Sequence, residues 1–305
     1  MDERPRTLVI VNPASAGGST ERRWPGIRDT LSRYVDFDVA ISEYPGHAIR
    51  LGQMGREAGF TRLICVGGDG TINEVVNGAL SGDPAHLLPE IGTIPSGTGS
   101  DLARTLGIPR AIEEACFLLG NPRRATSDLG VVSYKGREGP ERRCFVNAAG
   151  LGYDAEVVLR RNGFNRYVRG TLPYLASVTA TLLGYRNKDV TVTIDKIRDR
   201  WRMNTLVVAI GKFFGGGMRI APDAVLGDGF FDLILIGDVS RLELAYNLPR
   251  VYKGTHLQHP KVSARKARVV SVEADVPVRI QADGDLLGFV PARFQIIPGA
   301  LTLLC

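Results

Sequence analysis

The sequence predicts an α/β domain, a parallel sheet flanked by helices, followed by a mainly antiparallel β-sandwich. Three observations carry that reading. Short apolar runs at 7–11, 63–66 and 90–94 each empty into a loop of small residues and then a helical pattern, as parallel strands with covering helices do. After Ala125 the chain turns to short β-rich stretches with few helices between them, which antiparallel pairing explains. With 305 residues and 44% hydrophobic content the chain can bury two cores. The grammar changes near residue 128, so the expected domains are 1–128 and 129–305.

The first strand, 7–11, opens into Asn12-Pro13-Ala14-Ser15-Ala16-Gly17-Gly18, ahead of a helical pattern at Trp24, Ile27 and Leu31. A second strand at 37–41 ends at Ser42, and 48–59 reads as a helix. The segment 62–78, RLICVGGDGTINEVVNG, is strand, tight loop and helix, and it organises the domain. Gly67, Gly68 and Gly70 carry no Cβ to keep a phosphate from the backbone, and the following helix start offers unpaired N–H groups and a positive dipole end. Asp69 repels a phosphate unless a cation stands between them, which points to Mg²⁺. The Gly-Lys-Ser/Thr of a P-loop is missing, and Asn73 stands where a dinucleotide fingerprint has its third glycine. A further strand, 90–94, runs into Pro95-Ser96-Gly97-Thr98-Gly99-Ser100-Asp101, where Ser100 or Asp101 is expected to cap a helix. Three such loops fall at one end of one sheet, where open α/β folds hold ligands.

In the second half, strands are expected at 131–134, 143–149, 190–194, 204–210, 231–236, 269–274, 278–282 and 293–304. Two helical inserts, 168–185 and about 242–252, adjoin basic residues: Arg160, Arg161, Arg166 and Arg169 for one, Lys261, Arg265, Lys266 and Arg268 for the other. Apolar helices with cationic flanks suit surface docking, and equally suit a helix packed on its own sheet with solvated arginines. The net charge of +6 favours an anionic partner: nucleotide, nucleic acid or acidic lipid surface. Four unpaired-looking cysteines suggest a reduced, cytoplasmic protein, and no apolar leader or run of about 18 apolar residues suggests export or a membrane span. His47, His86, His256 and His259 show no metal-ligand spacing and read as surface or loop residues.

Five motifs, Val11-Asn12-Pro13, Gly67-Gly68-Asp69-Gly70-Thr71-Ile72-Asn73-Glu74, Pro95 to Asp101, Ala221-Pro222-Asp223 with Gly227-Asp228-Gly229, and Asp283-Gly284-Asp285, stand in order across nearly the whole chain. Together they resemble the lipid kinases of the diacylglycerol kinase catalytic superfamily, which includes bacterial soluble diacylglycerol kinases and sphingosine and ceramide kinases. Gly-Gly-Asp-Gly-Thr alone is shared with NAD kinases.

The resemblance implies a nucleotide-binding first domain, a lipid-binding β-sandwich and an active site in the cleft between them. It implies ATP, Mg²⁺ and transfer of the γ-phosphoryl group to a lipid hydroxyl. Diacylglycerol leads as acceptor, with ceramide, sphingosine and phosphatidylglycerol as others. The protein is then expected at an anionic membrane surface as a peripheral cytoplasmic enzyme, with no nucleic-acid partner and a homodimer left open. Carried over, Asn12, Pro13, Ala14, Ser15, Ala16, Ser42, Gly68, Asp69, Gly70, Thr71, Ile72, Asn73, Glu74 and Thr98 surround ATP, and Asp69, Asp101 and Asp128 hold catalytic Mg²⁺ directly or through water. A structural Mg²⁺ is implied at the Val225 carbonyl, Asp228 and the Phe230 carbonyl, with Gly227 where members often carry a second acid. A hydroxyl nucleophile needs a proton acceptor, and Asp283 and Asp285 are the candidates: two apart in a strand they share a face, although an Asp-Gly turn is the plain alternative. Ser100 stands where Asn is usual, and Asp285 where Glu is usual.

Overall fold

The computed structural model describes residues 5–81, 87–164 and 172–305. Two compact units are present, Met1–Ser127 together with Gly299–Cys305, and Asp128–Pro298.

The first unit runs β1 (Thr7–Val11), α1 (Ser15–Leu31), β2 (Asp38–Ile41), α2 (His47–Glu57), β3 (Arg62–Gly67), α3 (Asp69–Ser81), β4 (Glu90–Pro95), α4 (Asp101–Leu106) and α5 (Ile112–Gly120). Its strands are parallel in the order β4-β3-β1-β2, and Leu303 adds a parallel bridge to Ile91 on the outer side of β4. Every residue of β1 and β3 is buried, as expected of parallel strands covered on both faces. Val9, Ile64 and Ile94 meet Ile27 and Leu31 of α1 and Leu119 of α5 in one core. Helices α2 and α3 pack backbone to backbone, because Cβ atoms at Gly52 and Gly78 would lie 2.3 Å from the Val75 carbonyl oxygen and 1.8 Å from that of Ile49. The chain after Asn12 is the expected loop: Ala16, Gly17 and Gly18 all have positive φ, so the regular part of α1 begins after them. α5 was not anticipated, although Ile112, Cys116 and Leu119 carry helical spacing.

In the second unit, strand β5 (Arg124–Lys135) is followed by β6 (Pro140–Phe145), β7 (Ala148–Gly152), α6 (Tyr153–Phe164), α7 (Leu172–Gly184), β8 (Lys188–Ile194), β9 (Ile197–Met203), β10 (Thr205–Ala209), β11 (Phe231–Ile236), α8 (Arg241–Lys253), β12 (Val262–Ala267), β13 (Val269–Glu273), β14 (Arg279–Ala282) and β15 (Asp285–Leu304). Antiparallel neighbours form one series β12-β11-β10-β7-β14-β15 and another β9-β8-β13-β15-β5-β6, with the long β15 shared. One core takes Val208, Phe231 and Ile280 from the first series and Val192, Val270 and Phe294 from the second. Phe145 stacks on Phe231 with ring centroids 5.7 Å apart.

The antiparallel second domain is thus as expected, with differences. The single strand read at 143–149 is two, β6 and β7, parted at Val146-Asn147. β9 and β12 were missed because charges interrupt their apolar pattern, three Arg and an Asp in β9 and Arg265 with Lys266 in β12, and each lies at the end of its series, where charge discourages edge-to-edge pairing. The last residues, read as part of the sandwich, belong with the first unit. His256 is 2% exposed rather than a surface residue, and His86, Arg166 and Arg169 lie outside the described residues. No described helix is long and apolar enough to cross a membrane.

Candidate active site

The three strand-end loops of the first unit are tied into one cradle. Asn12 donates its backbone N–H to the Val66 carbonyl (3.0 Å) and its side-chain amide to Thr71 Oγ1 (3.0 Å), while Asn12 Oδ1 accepts from Ala14 N–H (3.1 Å). Ser96 and Gly97 both donate to the Gly67 carbonyl, at 2.9 and 3.0 Å. Thr20 reaches across to Ser96, hydroxyl to hydroxyl, at 2.6 Å. The two glycine loops cross so closely that a Cβ on Gly97 would fall 2.4 Å from the Gly68 Cα. A Cβ on Gly70, by contrast, would meet nothing within 4 Å. The first turn of α3 therefore faces open space, with N–H groups at Asp69 and Gly70 that a helix start leaves without intrahelical partners.

The predicted nucleotide-binding residues divide by burial. Asn12, Pro13, Ser15, Ala16, Gly68, Asp69, Gly70 and Glu74 are half-buried around this cradle, and Ala14 and Thr98 are exposed. Ser42 is buried at the end of β2, its N–H on the Val11 carbonyl. Thr71, Ile72 and Asn73 are at most 3% exposed. Their side chains build the cradle from behind: Thr71 fills the space over Gly67 and holds Asn12.

Asp69 has a structural task that the sequence hid. Its carboxylate accepts the N–H groups of Asp101 (2.9 Å) and Leu102 (3.0 Å), so it caps α4 from another loop. Neither Ser100, which has φ of 53°, nor Asp101 caps that helix, as had been expected. Asp101 itself is 4% exposed and accepts from Arg104 Nη1 at 2.7 Å.

In the second unit, Asp283 and Gly284 are a two-residue β-hairpin turn joining β14 to β15, with φ of 48° and 88° and Ala282 paired to Asp285. This is the Asp-Gly turn in its favoured primed form, so the idea of two carboxylates side by side on one strand face is corrected. Asp283 Oδ1 accepts from Asn147 N–H (3.0 Å) and Ala148 N–H (3.0 Å), and Oδ2 from Val146 N–H (2.7 Å). It holds the β6–β7 break in place, and its oxygens are committed to that task. Asp285 is different. Its side chain is 52% exposed, with Arg143 Nη2 at 3.5 Å. Desolvation raises its pKa, against the pull of Arg143 and Arg161.

Sequence reasoning missed a buried relay under this turn. Gln281 is 3% exposed, donates from Nε2 to Asp154 Oδ2 (2.7 Å) and accepts Gly284 N–H on Oε1 (2.9 Å). Burial pushes the Asp154 pKa up to about 6, opposed by the Gln281 hydrogen bond and Arg161. The only sequence signal was an acid inside the apolar run Gly-Leu-Gly-Tyr-Asp.

At the expected structural Mg²⁺ loop, 225–230, the acid is already paired. Asp228 Oδ1 accepts Phe230 N–H (3.0 Å), and Oδ2 pairs with the Lys266 ammonium. Asp128, fully buried, accepts Gly229 N–H on Oδ2 (2.8 Å) and donates its own N–H to Leu226 (2.6 Å), anchoring the same loop. Among the described residues no group of three His, Cys, Asp or Glu side chains gathers as a metal site.

Comparison with known proteins agrees with this layout. Residues 6–132 match the diacylglycerol kinase catalytic domain, and residues 147–305 match the YegS C-terminal NAD kinase beta sandwich-like domain. A diacylglycerol kinase of Staphylococcus carnosus is 28% identical over 95% of this chain and 92% of its own, and one of Staphylococcus saprophyticus is 27% identical over the same shares. Two crystal structures from Bacillus anthracis cover the whole chain: one, at 22% identity and 96% of its own length, has a TM-score of 0.80. The other, described as a diacylglycerol kinase, has a TM-score of 0.73 at 20% identity, with 98% of its length covered. The cradle on a parallel sheet, the sandwich that follows it and these relatives, aligned nearly end to end, place the chain in the diacylglycerol kinase family of lipid kinases.

Proposed function

We propose that the protein transfers the γ-phosphoryl group of ATP to a lipid hydroxyl, with a diacylglycerol-like acceptor first among the candidates. The observation that carries the reading is the contrast within the hairpin pair: Asp283 is bound by three backbone N–H groups, whereas Asp285 is half-exposed and its pKa is raised. A half-exposed carboxylate of raised pKa can take a proton from a hydroxyl, the one covalent task that phosphoryl transfer leaves to a side chain.

The rest is positioning. The N–H groups at the start of α3 face the open side of the glycine cradle and would receive phosphate oxygens. Asp69 suits Mg²⁺, since each of its oxygens accepts one neutral backbone N–H and keeps a lone pair for the ion or its water, whereas Asp101 already holds the Arg104 guanidinium and would take the ion only in exchange for that pair. Bound there, the ion would neutralise charge on the transferred group. Asp128, fully buried with one oxygen on the 226–229 turn, supports a loop, and direct metal contact is not part of this proposal. Attachment to an anionic lipid surface completes the reading. On α8, Leu242 and Tyr246 are 83% and 76% exposed on a helix that also bears Arg241, Arg250 and Lys253.

The test of the base is single-turnover transfer from γ-labelled ATP to diacylglycerol in mixed micelles. Asp285→Asn should lose most of the rate, about 10²-fold or more, with little change in ATP affinity. Asp285→Glu, which restores the usual family residue, should stay active. Full turnover in Asp285→Asn would remove Asp285 from the role.

A further inference from the structure

We infer that Lys266 stands in for the structural cation of the 225–230 loop, so that this loop is held by an internal ammonium rather than by a divalent metal. The ion expected there would take one Asp228 carboxylate and two carbonyls. In this chain the carboxylate is already satisfied: Phe230 N–H lies 3.0 Å from Oδ1, and the Lys266 ammonium pairs with Oδ2.

The placement follows from strand register. Lys266 of β12 is directly opposite Asp232 of β11 in the antiparallel ladder, and residues so paired project on the same face. Its Nζ lies 3.7 Å from Asp232 Oδ2 as well as on Asp228.

A Mg²⁺ bound at Asp228 would sit about 2.1 Å from its oxygen, next to the ammonium on the same carboxylate. Two cations of total charge +3 would then meet at the Asp228 carboxylate with Asp232 as the other acid beside the ammonium, and Gly227 supplies no further one in the loop. A second fixed cation supports the same loop, for the Arg268 guanidinium lies 4.7 Å from the centroid of the Phe230 ring. The loop thus has the residues of a metal site and the charge pattern of an ion pair.

The test is thermal unfolding and Mn²⁺ binding of the nucleotide-free full chain, with Mn²⁺ reporting metal through its paramagnetic signal. Wild type and Asp228→Ala should bind the same number of Mn²⁺ ions and show the same rise in Tm on going from EDTA to millimolar Mg²⁺, because no metal uses Asp228. Lys266→Met should unfold several degrees lower in EDTA and gain an additional Mg²⁺-dependent rise, which the Lys266→Met/Asp228→Ala pair loses. Lys266→Arg, which keeps a cation, should resemble wild type in EDTA. One more Mn²⁺ in wild type than in Asp228→Ala overturns the inference, and so does a Lys266→Met protein as stable in EDTA as wild type. Both outcomes are independent of kinase activity and of the choice of base.

Discussion

Asp154 and Asp285 are both acids whose pKa rises through desolvation, yet they differ in what surrounds them. Asp285 opens to solvent beside Arg143, while the Asp154 carboxyl lies against Gly150, where a Cβ would fall 1.9 Å from its Oδ2, and grips Gln281. A folded pKa of about 6 against an ordinary 3.8 means that the folded state holds this proton more tightly. Between about pH 4 and 6 the unfolded chain has released the proton and the folded chain has not, so the contribution of Asp154 to stability falls as pH rises and stays unfavourable above 6. Asp154→Asn keeps an oxygen for Gln281 and removes the titration. Denaturant unfolding of both proteins across pH 4–7 should show the variant gaining on wild type as pH rises through that window and remaining ahead at neutrality. A pH-independent difference would contradict the burial argument. None of this was legible at the residue level. Asp283 likewise shows its partners only after the fold brings Val146, Asn147 and Ala148 to it, more than a hundred residues away in sequence.

Elements were legible where their own residues decide them. β1 and β3 announced themselves because buried parallel strands are nearly continuous apolar runs, and α8 was read at about 242–252 without its capping box, Ser240 with Glu243, which the structure adds at its start. α4 was not legible in its capping. It is six residues long and takes its N-terminal cap from Asp69, a residue of the neighbouring strand-helix loop. The carboxylate assigned to metal therefore also joins the second and third loops of the cradle. Asp69→Ala should lower stability by about 1 kcal/mol, the usual worth of a cap, as well as reduce phosphoryl transfer by about 10²-fold or more. Urea unfolding without nucleotide separates the two effects. Unchanged stability would show that α4 does not depend on this contact.

At the scale of the whole molecule, the chain joins a parallel α/β unit with the glycine cradle to an antiparallel unit that bears the hairpin acid and the exposed apolar positions of α8. The family resemblance was legible because its motifs lie at strand ends and turns, where backbone geometry restricts which residues fit. The edge strands β9 and β12 were obscured by charges that guard a sheet edge or, as Lys266 does with Asp228, pair with an acid elsewhere in the chain rather than fill a core. Acceptor choice rests on pocket shape, which no short motif encodes. The net charge of +6 and the exposed Leu242 and Tyr246 are what the proposed attachment to an acidic membrane rests on.

The most direct measurement is incubation of the protein with γ-labelled ATP and Mg²⁺ over diacylglycerol, monoacylglycerol, ceramide, sphingosine and phosphatidylglycerol, each in acidic and in neutral vesicles, with NAD in a parallel reaction. Label should enter a lipid product, diacylglycerol foremost, with faster transfer on acidic vesicles and a loss of that advantage at high salt. Label on NAD, or on no acceptor, would contradict the lipid-kinase reading.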